Sequence, residues 1–231
     1  MVRQKRIVGA GLIYHVVNRG NNRQAIFLED EDYELYLGLL YRYKIKFNFK
    51  LYAYCLMTNH IHLLIKVNLG KTISQIMQSL TNAHTRHYHF KYRTSGHLWQ
   101  GRFKSPIVSD DEYLLTVMQY IEQNPVRAAM VKEIQDYRWS SYKLNIQSKT
   151  SKLIDRNENP VFMGLAGQEG EATQVYRHLM VQNIEEKKLN AVRKSIEGGV
   201  GFMSERFEKQ LAEMLPKKVK RGRPKRNRII V

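Results

Sequence analysis

Cysteine, acidic residues and long apolar segments are all scarce in this sequence. Cys55 is the one cysteine among 231 residues, so no disulfide bond can form within the chain. A disulfide-stabilised secreted domain is therefore excluded, and we expect a reducing cytoplasmic location, with Cys55 as a small buried strand residue. No apolar run approaches the ~20 residues that span a bilayer, so no membrane-spanning helix is expected.

The shortage of acidic residues leaves the chain strongly basic. Asp and Glu number 21 against 38 Lys and Arg, which gives a formal net charge of +17 and a pI of about 9.9. Charge of this size favours polyanionic partners such as nucleic acid. The imbalance is greatest at 216–231, where eight residues are Lys or Arg and none is acidic. We expect this segment to be a flexible basic tail, because it is too polar to pack a core.

Hydrophobic periodicity and turn signals divide residues 11–124 into alternating strands and helices. Capping-box spacing at Thr72 and Gln75 predicts the start of one helix, and Ser109 with Glu112 predicts another. The predicted elements are a strand at 11–18, a helix at about 30–47, hairpin strands at 49–57 and 59–67, a helix from 73, a strand at 102–108 and a helix at 110–124. This order predicts an α+β fold, a ferredoxin-like or RRM-like antiparallel sheet with helices on one face and one extra helix.

His60 and His62 stand two residues apart in the predicted strand at 59–67. Because side chains alternate along a strand, both imidazoles project from one face and the intervening apolar residues from the other. Two imidazoles ~7 Å apart along the backbone can bind one metal ion if a neighbouring element supplies a third ligand. A hydrogen-bonded or surface pair of histidines gives the same pattern, so both interpretations stand.

Tyr120 and Asn124 stand one turn apart on the last predicted helix, beside its apolar face. A helix laid across the sheet would bring the phenol and the amide oxygen to the same metal-bound phosphate. The alternative is a tyrosine whose ring packs in the core, followed by an Asn-Pro sequence that ends the helix.

Five blocks of the sequence, in order, resemble the REP-associated tyrosine transposases, which are IS200-like members of the HUH single-strand DNA nucleases. The two signature blocks are LMTNHIHLLI at 56–65 and YIEQNPVRA at 120–128. The other three are NRG at 18–20, GHLWQGRFKS at 96–105 and YRWSSY at 137–142. The resemblance covers residues ~10–145 well.

This resemblance implies a role for each residue of the possible site. His60 and His62 would bind a divalent cation, Asn124 would complete the protein ligands, and Tyr120 would be the nucleophile. The family implies Mg²⁺ or Mn²⁺, whereas imidazole ligands by themselves favour zinc or another transition ion. Gln123 or a water could replace Asn124, because the residue before a proline tends to leave helical geometry. Attack on DNA would leave a 5′-phosphotyrosine and a free 3′-hydroxyl that can reverse the step.

The resemblance also implies a domain organisation and a set of partners. Residues 1–145 would form the HUH catalytic domain, 146–215 a helical C-terminal extension, and 216–231 the basic tail. Partners would be single-stranded and hairpin DNA of the REP type, in the cytoplasm and associated with the nucleoid. A monomer is favoured over the helix-exchanging dimers of the wider HUH group. No function for residues 148–170 follows from the sequence.

Several further residues are candidates for DNA contacts. Trp99 could stack on an unpaired base, with Gln100 and Arg102 beside it for base edges or phosphates, although core packing of Trp99 fits equally. Asn18 and Arg19, at the end of the first predicted strand, could read a single strand or simply form the turn.

In the tail, Arg221-Gly222-Arg223 has the spacing of an AT-hook, which would lie in a narrow A·T minor groove. A generic basic tail that contacts phosphates would look the same.

Three functional hypotheses follow. The first is an enzyme that cleaves and rejoins single-stranded DNA next to hairpins through Tyr120 and a metal at His60 and His62. The second is a non-catalytic nucleic-acid-binding module of RRM-like fold, which the histidines on the sheet face disfavour because such modules use aromatic side chains there. The third is a metal-dependent hydrolase that uses water, which would leave the Tyr120 block unexplained.

Overall fold

A four-stranded antiparallel sheet forms the centre of the molecule. The structure is a computed structural model that describes residues 7–109, 112–147, 151–165, 169–198 and 201–214. The strands are β1 (Ile13–Arg19), β2 (Lys50–Met57), β3 (His60–Lys66) and β4 (Ile107–Val108), in the order β2-β3-β1-β4. Every neighbouring pair is antiparallel, and β1 and β3 occupy the centre.

Two long helices connect these strands in the predicted split βαβ pattern. Helix α1 (Asp30–Phe47) leads from β1 to β2, and α2 (Ile73–Tyr92) leads from β3 to β4. Each begins with a capping box, at Glu29 and Asp32 for α1 and at Thr72 and Gln75 for α2. These reciprocal bonds satisfy amide groups that a helix start leaves unpaired, which fixes where each helix begins. The predicted α+β fold class is therefore confirmed.

The last strand is shorter than the sequence predicts. Regular pairing of the predicted strand at 102–108 is confined to β4, with one isolated bridge between Val17 and Lys104. Pro106 lies between the two, and its carbonyl accepts a hydrogen bond from the backbone of His15. A proline has no amide hydrogen to donate, so it interrupts the ladder.

The predicted extra helix, α3 (Glu112–Glu122), lies over the sheet face that carries His60 and His62. The predicted capping box of Ser109 and Glu112 spans residues 110–111, outside the described residues. Ile61, Leu63 and Ile65 project from the other face and are fully buried, so both faces of the sheet are covered.

Six further helices follow α3. They are α4 (Asn124–Arg127), α5 (Tyr142–Asn145), α6 (Pro160–Gly164), α7 (Glu169–Val181), α8 (Glu186–Gly198) and α9 (Glu205–Met214), counted over the described residues. Helices α6, α7 and α8 pack against α3. The predicted helical extension thus packs on the helix that carries Tyr120, while the proposed tail at 216–231 lies outside the described residues.

Strand β2 lies at one edge of the sheet, and part of the segment after residue 138 covers this edge. Backbone bonds join Leu56 to Trp139 and Tyr54 to Ser141, and the Asp155 carboxylate accepts from the Leu51 amide at 2.8 Å. An uncovered edge strand invites pairing with another chain. Residues 151–155, for which the sequence suggests no function, therefore help to cover the edge of β2 through the hydrogen bonds of Asp155 to Leu51.

Within the described ranges, we find no helix with the length and apolar character needed to cross a membrane.

Candidate active site

The register of β1 and β3 brings His60, His62 and Arg19 to one face of the sheet. Arg19 pairs with His60 and Val17 pairs with His62. Residues directly opposite each other on antiparallel strands project to the same side, and so do alternate residues along each strand. The ring centroids of His60 and His62 are 5.1 Å apart. The two imidazoles therefore meet at the end of β1, as the alternation predicts.

Tyr120 reaches this pair from α3. Its ring centroid lies 5.7 Å from that of His62 and 5.7 Å from that of His15, edge-on to both. The face of α3 that packs on the sheet is apolar and buried, and it consists of Leu114, Val117, Met118 and Ile121. This packing sets the rotation of α3 about its axis and directs Tyr120 toward the histidines.

The outer face of α3 is attached to the C-terminal end of α7. The side-chain amide of Gln119 donates to the carbonyl of Leu179, and that of Gln123 donates to Met180 and Gln182 at 2.7 Å each. The last carbonyls of a helix have no partner within it, so side-chain amides satisfy them well. These bonds hold the Gln123 amide nitrogen toward α7. If Gln123 and not Asn124 were the third metal ligand, the Gln123 side chain would have to break these bonds.

Positive charge converges on Tyr120 from three separate elements. The Arg127 guanidinium lies 4.5 Å from the Tyr120 ring centroid and donates to the backbone carbonyl of Tyr120. Burial raises the pKa of the Tyr120 phenol, and the charges of Arg127 on α4, Arg193 on α8 and Arg19 on β1 oppose that rise. These cations would also attract a phosphate.

The histidines are neutral near pH 7. Burial, with Arg19 adding to it, lowers the pKa of His60 to about 4, and burial lowers the pKa of His62 well below its ordinary value. A neutral imidazole is the form that binds a metal ion. His60 Nδ1 lies 2.6 Å from Asn59 Oδ1, and His62 Nδ1 lies 2.9 Å from His15 Nε2.

Asn124 is the first residue of α4, immediately before Pro125. Its side-chain nitrogen is buried and has no hydrogen-bond partner among the described residues. A buried amide N–H usually has an acceptor, so this unpartnered nitrogen fits a site in which a bound group such as a phosphate supplies an acceptor oxygen.

The imidazoles of His60 and His62, with ring centroids 5.1 Å apart, are side chains of the kind that bind a divalent cation. In the described part of the chain, no three His, Cys, Asp or Glu side chains are grouped so as to hold a metal ion. With the ligand set that the resemblance implies, the protein donors would be the imidazoles of His60 and His62 and the amide oxygen of Asn124, and positions would stay open for phosphate oxygens and water.

The candidate DNA-contact residues separate into two groups. Arg19, Gln100 and Arg102 are exposed. The backbone N–H of Gln100 donates to the backbone carbonyl of Arg19 at 2.8 Å, and Arg102 follows Gln100 by two residues. Asn18 is 4% exposed and pairs with Ile61, so its side chain projects away from the histidine face.

Trp99 is packed in the structure. It is 9% exposed, donates its indole N–H to the Thr85 hydroxyl at 3.0 Å, and has its ring 5.7 Å from that of His84. Stacking on a base would require the indole to leave this position. Arg221 and Arg223 lie outside the described residues, and their proposed minor-groove contacts stay a prediction.

Sequence reasoning missed His15, Arg127 and Glu122. Alternation along β1 shows from the sequence that His15 and Arg19 share a face. The sequence does not show that β1 pairs with β3, which is what brings His15 to His62. Arg127 lies in the same sequence block as Tyr120, although nothing in the block indicates that its guanidinium stacks on the phenol ring.

Glu122 is a fully buried carboxyl group that connects four elements. It accepts hydrogen bonds from Ser141 Oγ at 2.5 Å, Asn145 Nδ2 at 2.8 Å and Tyr176 Oη at 2.9 Å. Burial raises its pKa to about 7, against the effect of these three donors. Glu122 therefore joins α3 to the segment that covers β2, to α5 and to α7.

Comparisons with known proteins match the segment that carries these residues. The family model described as "Transposase IS200 like" matches residues 10–124, a segment that contains His60, His62, Tyr120 and Asn124. A Haemophilus influenzae protein provisionally named a REP-associated tyrosine transposase is 30% identical over 112 residues, and the match covers 44% of this chain and 63% of that protein. The chain thus matches less than two thirds of this curated relative.

Among solved structures, the REP-associated tyrosine transposase bound to a REP hairpin is similar with a TM-score of 0.55. The identity is 18%, and the match covers 63% of this chain and 86% of that one. At this identity the likeness establishes the shared fold.

Proposed function

This chain belongs to the IS200-like transposase family through residues 10–124, and from that premise we propose that it cleaves and rejoins single-stranded DNA next to hairpins. Tyr120 is the nucleophile in this proposal, and His60, His62 and Asn124 hold a divalent cation. The observation that carries the proposal is the contact between Tyr120 on α3 and His62 in the centre of the sheet. Their ring centroids are 5.7 Å apart.

The chemistry of the residues explains why these parts belong together. A phenol with an ordinary pKa near ~10 is a poor nucleophile at neutral pH, and burial makes Tyr120 more so. A bound Mg²⁺ or Mn²⁺ would withdraw charge from the phosphoryl oxygens and orient the phosphorus for in-line attack. Arg127, over the phenol ring, stabilises the negative charge that develops on the phenol oxygen.

The reaction exchanges one phosphodiester for another. The Tyr120 oxygen forms a bond to phosphorus as the bond from phosphorus to the upstream 3′ oxygen breaks. The phenol proton passes to solvent, the 3′ oxygen takes up a proton, and the 5′ end of the downstream strand stays on the tyrosine. Because the bonds made and broken are of similar energy, a 3′-hydroxyl can reverse the step without ATP.

The surroundings of the site suit a polyanionic strand. Arg19, Gln100 and Arg102 form an exposed group where β1 ends, next to His60. A single strand entering there would meet guanidinium groups before its phosphate reached the cation. The relative with a solved structure is bound to a REP hairpin, and by analogy we propose that a hairpin of this kind positions the strand for cleavage.

A covalent-trapping experiment tests this function. The protein is incubated with a hairpin that carries a single-stranded flank and a label at its 3′ end, on the fragment that stays on the tyrosine, with Mg²⁺ or Mn²⁺, and is then denatured. We expect a protein–DNA adduct from wild type and none from Tyr120→Phe. Tyr113→Phe is the matched control, because Tyr113 lies on the same helix but packs against Phe202 with a ring separation of 4.6 Å. It should form the adduct as wild type does.

Other outcomes would select other functions. Binding without cleavage or adduct by wild type would favour a non-catalytic nucleic-acid-binding module. Cleavage that survives Tyr120→Phe would favour a hydrolase that uses water directly.

A further inference from the structure

His15 contacts both halves of the candidate site, although it is neither the nucleophile nor one of the proposed ligands. It lies in the central strand β1 and is 1% exposed. Its Nε2 is 2.9 Å from His62 Nδ1, and its ring meets the Tyr120 ring edge-on at 5.7 Å. The tautomer of His62 therefore depends on which of the two imidazoles donates the hydrogen bond between them.

The neighbouring His60 shows how such a bond selects a tautomer. The Asn59 side-chain nitrogen donates to the Arg23 carbonyl at 3.2 Å, which turns Asn59 Oδ1 toward His60 Nδ1, 2.6 Å away. An amide oxygen can only accept, so the proton of neutral His60 is on Nδ1. The lone pair of His60 is then on Nε2, where a metal ion can use it.

At His62 the corresponding position is occupied by His15, whose Nε2 can either donate or accept. An imidazole nitrogen that carries no proton accepts a hydrogen bond, so His15 Nε2 acts as the acceptor when the proton of His15 is on its Nδ1. If the bond ran the other way, from His15 Nε2–H to His62 Nδ1, the proton of His62 would be on Nε2 and would block ligation there.

We propose that His15 is a positioning residue that accepts a hydrogen bond from His62 Nδ1–H and so presents the His62 Nε2 lone pair to the divalent cation. The metal part of this inference rests on the proposed function. The direction of the hydrogen bond is chosen because it leaves His62 Nε2 free for the cation, and the position of the proton can be measured on the metal-free protein. Ligating histidines commonly donate their second nitrogen to such a partner, and removing the partner costs 10–100-fold in metal affinity as an order of magnitude.

Three variants separate the acceptor role of His15 from its packing. His15→Phe keeps an aromatic ring against Tyr120 but removes the acceptor, whereas His15→Gln supplies an amide oxygen that can accept. His84→Phe is the control for loss of a buried histidine, because His84 is fully buried and bonds the Ile26 carbonyl, away from His62.

The tautomer is read by long-range ¹H–¹⁵N correlation spectra of ¹⁵N-histidine-labelled, metal-free protein, with the His62 signals assigned by their absence in His62→Gln. We expect the His62 proton on Nδ1 in wild type, in His15→Gln and in His84→Phe, and a shift of the proton to Nε2 in His15→Phe. A His62 proton on Nε2 in the wild-type spectrum would overturn the proposal, and that result needs no His15 variant to fold.

Mn²⁺ titration followed by electron paramagnetic resonance provides the second readout. We expect 10–100-fold weaker binding, as an order of magnitude, by His15→Phe than by wild type, with His15→Gln close to wild type. Equal affinities for wild type and a folded His15→Phe would overturn the positioning role. A wild-type protein that binds no Mn²⁺ but has the His62 proton on Nδ1 would support the hydrogen-bond assignment and refute the proposed metal site.

Discussion

The guanidinium of Arg127 lies 4.5 Å from the centre of the Tyr120 ring and also donates a hydrogen bond to the Tyr120 backbone carbonyl. Arg127 follows Tyr120 by two turns, across the break between α3 and α4. One side chain thus fixes the backbone and the ring of the proposed nucleophile together. Residues seven apart lie on the same side of a helical backbone, and the bonds from Gln123 to Gln119 and from Arg127 to Gln123 keep that spacing here.

Replacing Arg127 with Met should slow DNA cleavage on the order of 10- to 100-fold at saturating DNA, because the variant has neither the cation nor the bond to the carbonyl. Single-turnover adduct formation measures this. Arg138→Met is the control, since Arg138 also stacks on an aromatic ring, that of Trp139 at 4.4 Å, but on the surface. Equal rates for Arg127→Met and wild type would show that Arg127 does not assist Tyr120.

Glu122 should make stability depend on pH. Its pKa is about 7 in the folded protein against an ordinary value of 4.5, so the folded state holds the proton more tightly. The stabilisation is complete below pH 4.5 and is lost as the pH rises through about 7, with an upper bound of roughly 3 kcal/mol.

Glu122→Gln keeps an oxygen acceptor without the ionisation. Urea unfolding at several pH values should show the free energy of unfolding of wild type falling between pH 4.5 and about 7 relative to this variant. Parallel pH profiles for the two proteins would contradict a buried, protonated Glu122.

The segment at 151–155 that covers the edge of β2 should contribute measurably to the free energy of unfolding. Lys44 Nζ and Asp155 Oδ2 are 2.8 Å apart with side chains 10% and 13% exposed, and Asp155 also accepts from the Leu51 amide. Asp155→Ala should cost ~3–5 kcal/mol in urea unfolding, because it leaves a largely buried ammonium group without its counter-charge. Glu158→Ala, at a pair whose carboxylate is 61% exposed, should cost less than ~1 kcal/mol. Similar costs for the two variants would argue against a stabilising role for the Lys44–Asp155 pair.

The basic tail should account for part of the salt dependence of DNA binding. Deleting residues 216–231 removes eight positive charges. The slope of log affinity against log salt on duplex DNA should become shallower by ~0.9 for each phosphate that the tail no longer neutralises. Alanine at Arg221 and Arg223 alone should reduce the preference for A·T-rich duplex if the minor-groove interpretation holds. An unchanged slope after deletion would refute a role for the tail in binding.

Local patterns were sufficient for much of the fold. The alternation in β3 predicts the shared face of His60 and His62, and the capping box at Thr72 fixes the start of α2. The pairing partner of a strand depends on contacts distant in sequence, which one sequence does not reveal. For that reason no role for His15 could be predicted, since its placement follows from the β1–β3 register.

Two other features have physical causes of different range. Pro106 shortens the last strand because it cannot donate to the ladder. The buried bonds of Glu122 reach Ser141, Asn145 and Tyr176, which are 19 to 54 residues away, so no local pattern around Glu122 indicates its burial.

Whether Tyr120 is the nucleophile is tested most directly by peptide mapping, by mass spectrometry, of the adduct formed on a hairpin substrate. We expect the 5′-phosphate of the DNA to be attached to the peptide that contains Tyr120, at the tyrosine oxygen. Attachment to any other residue, or cleaved DNA with no attached peptide, would show that Tyr120 is not the nucleophile.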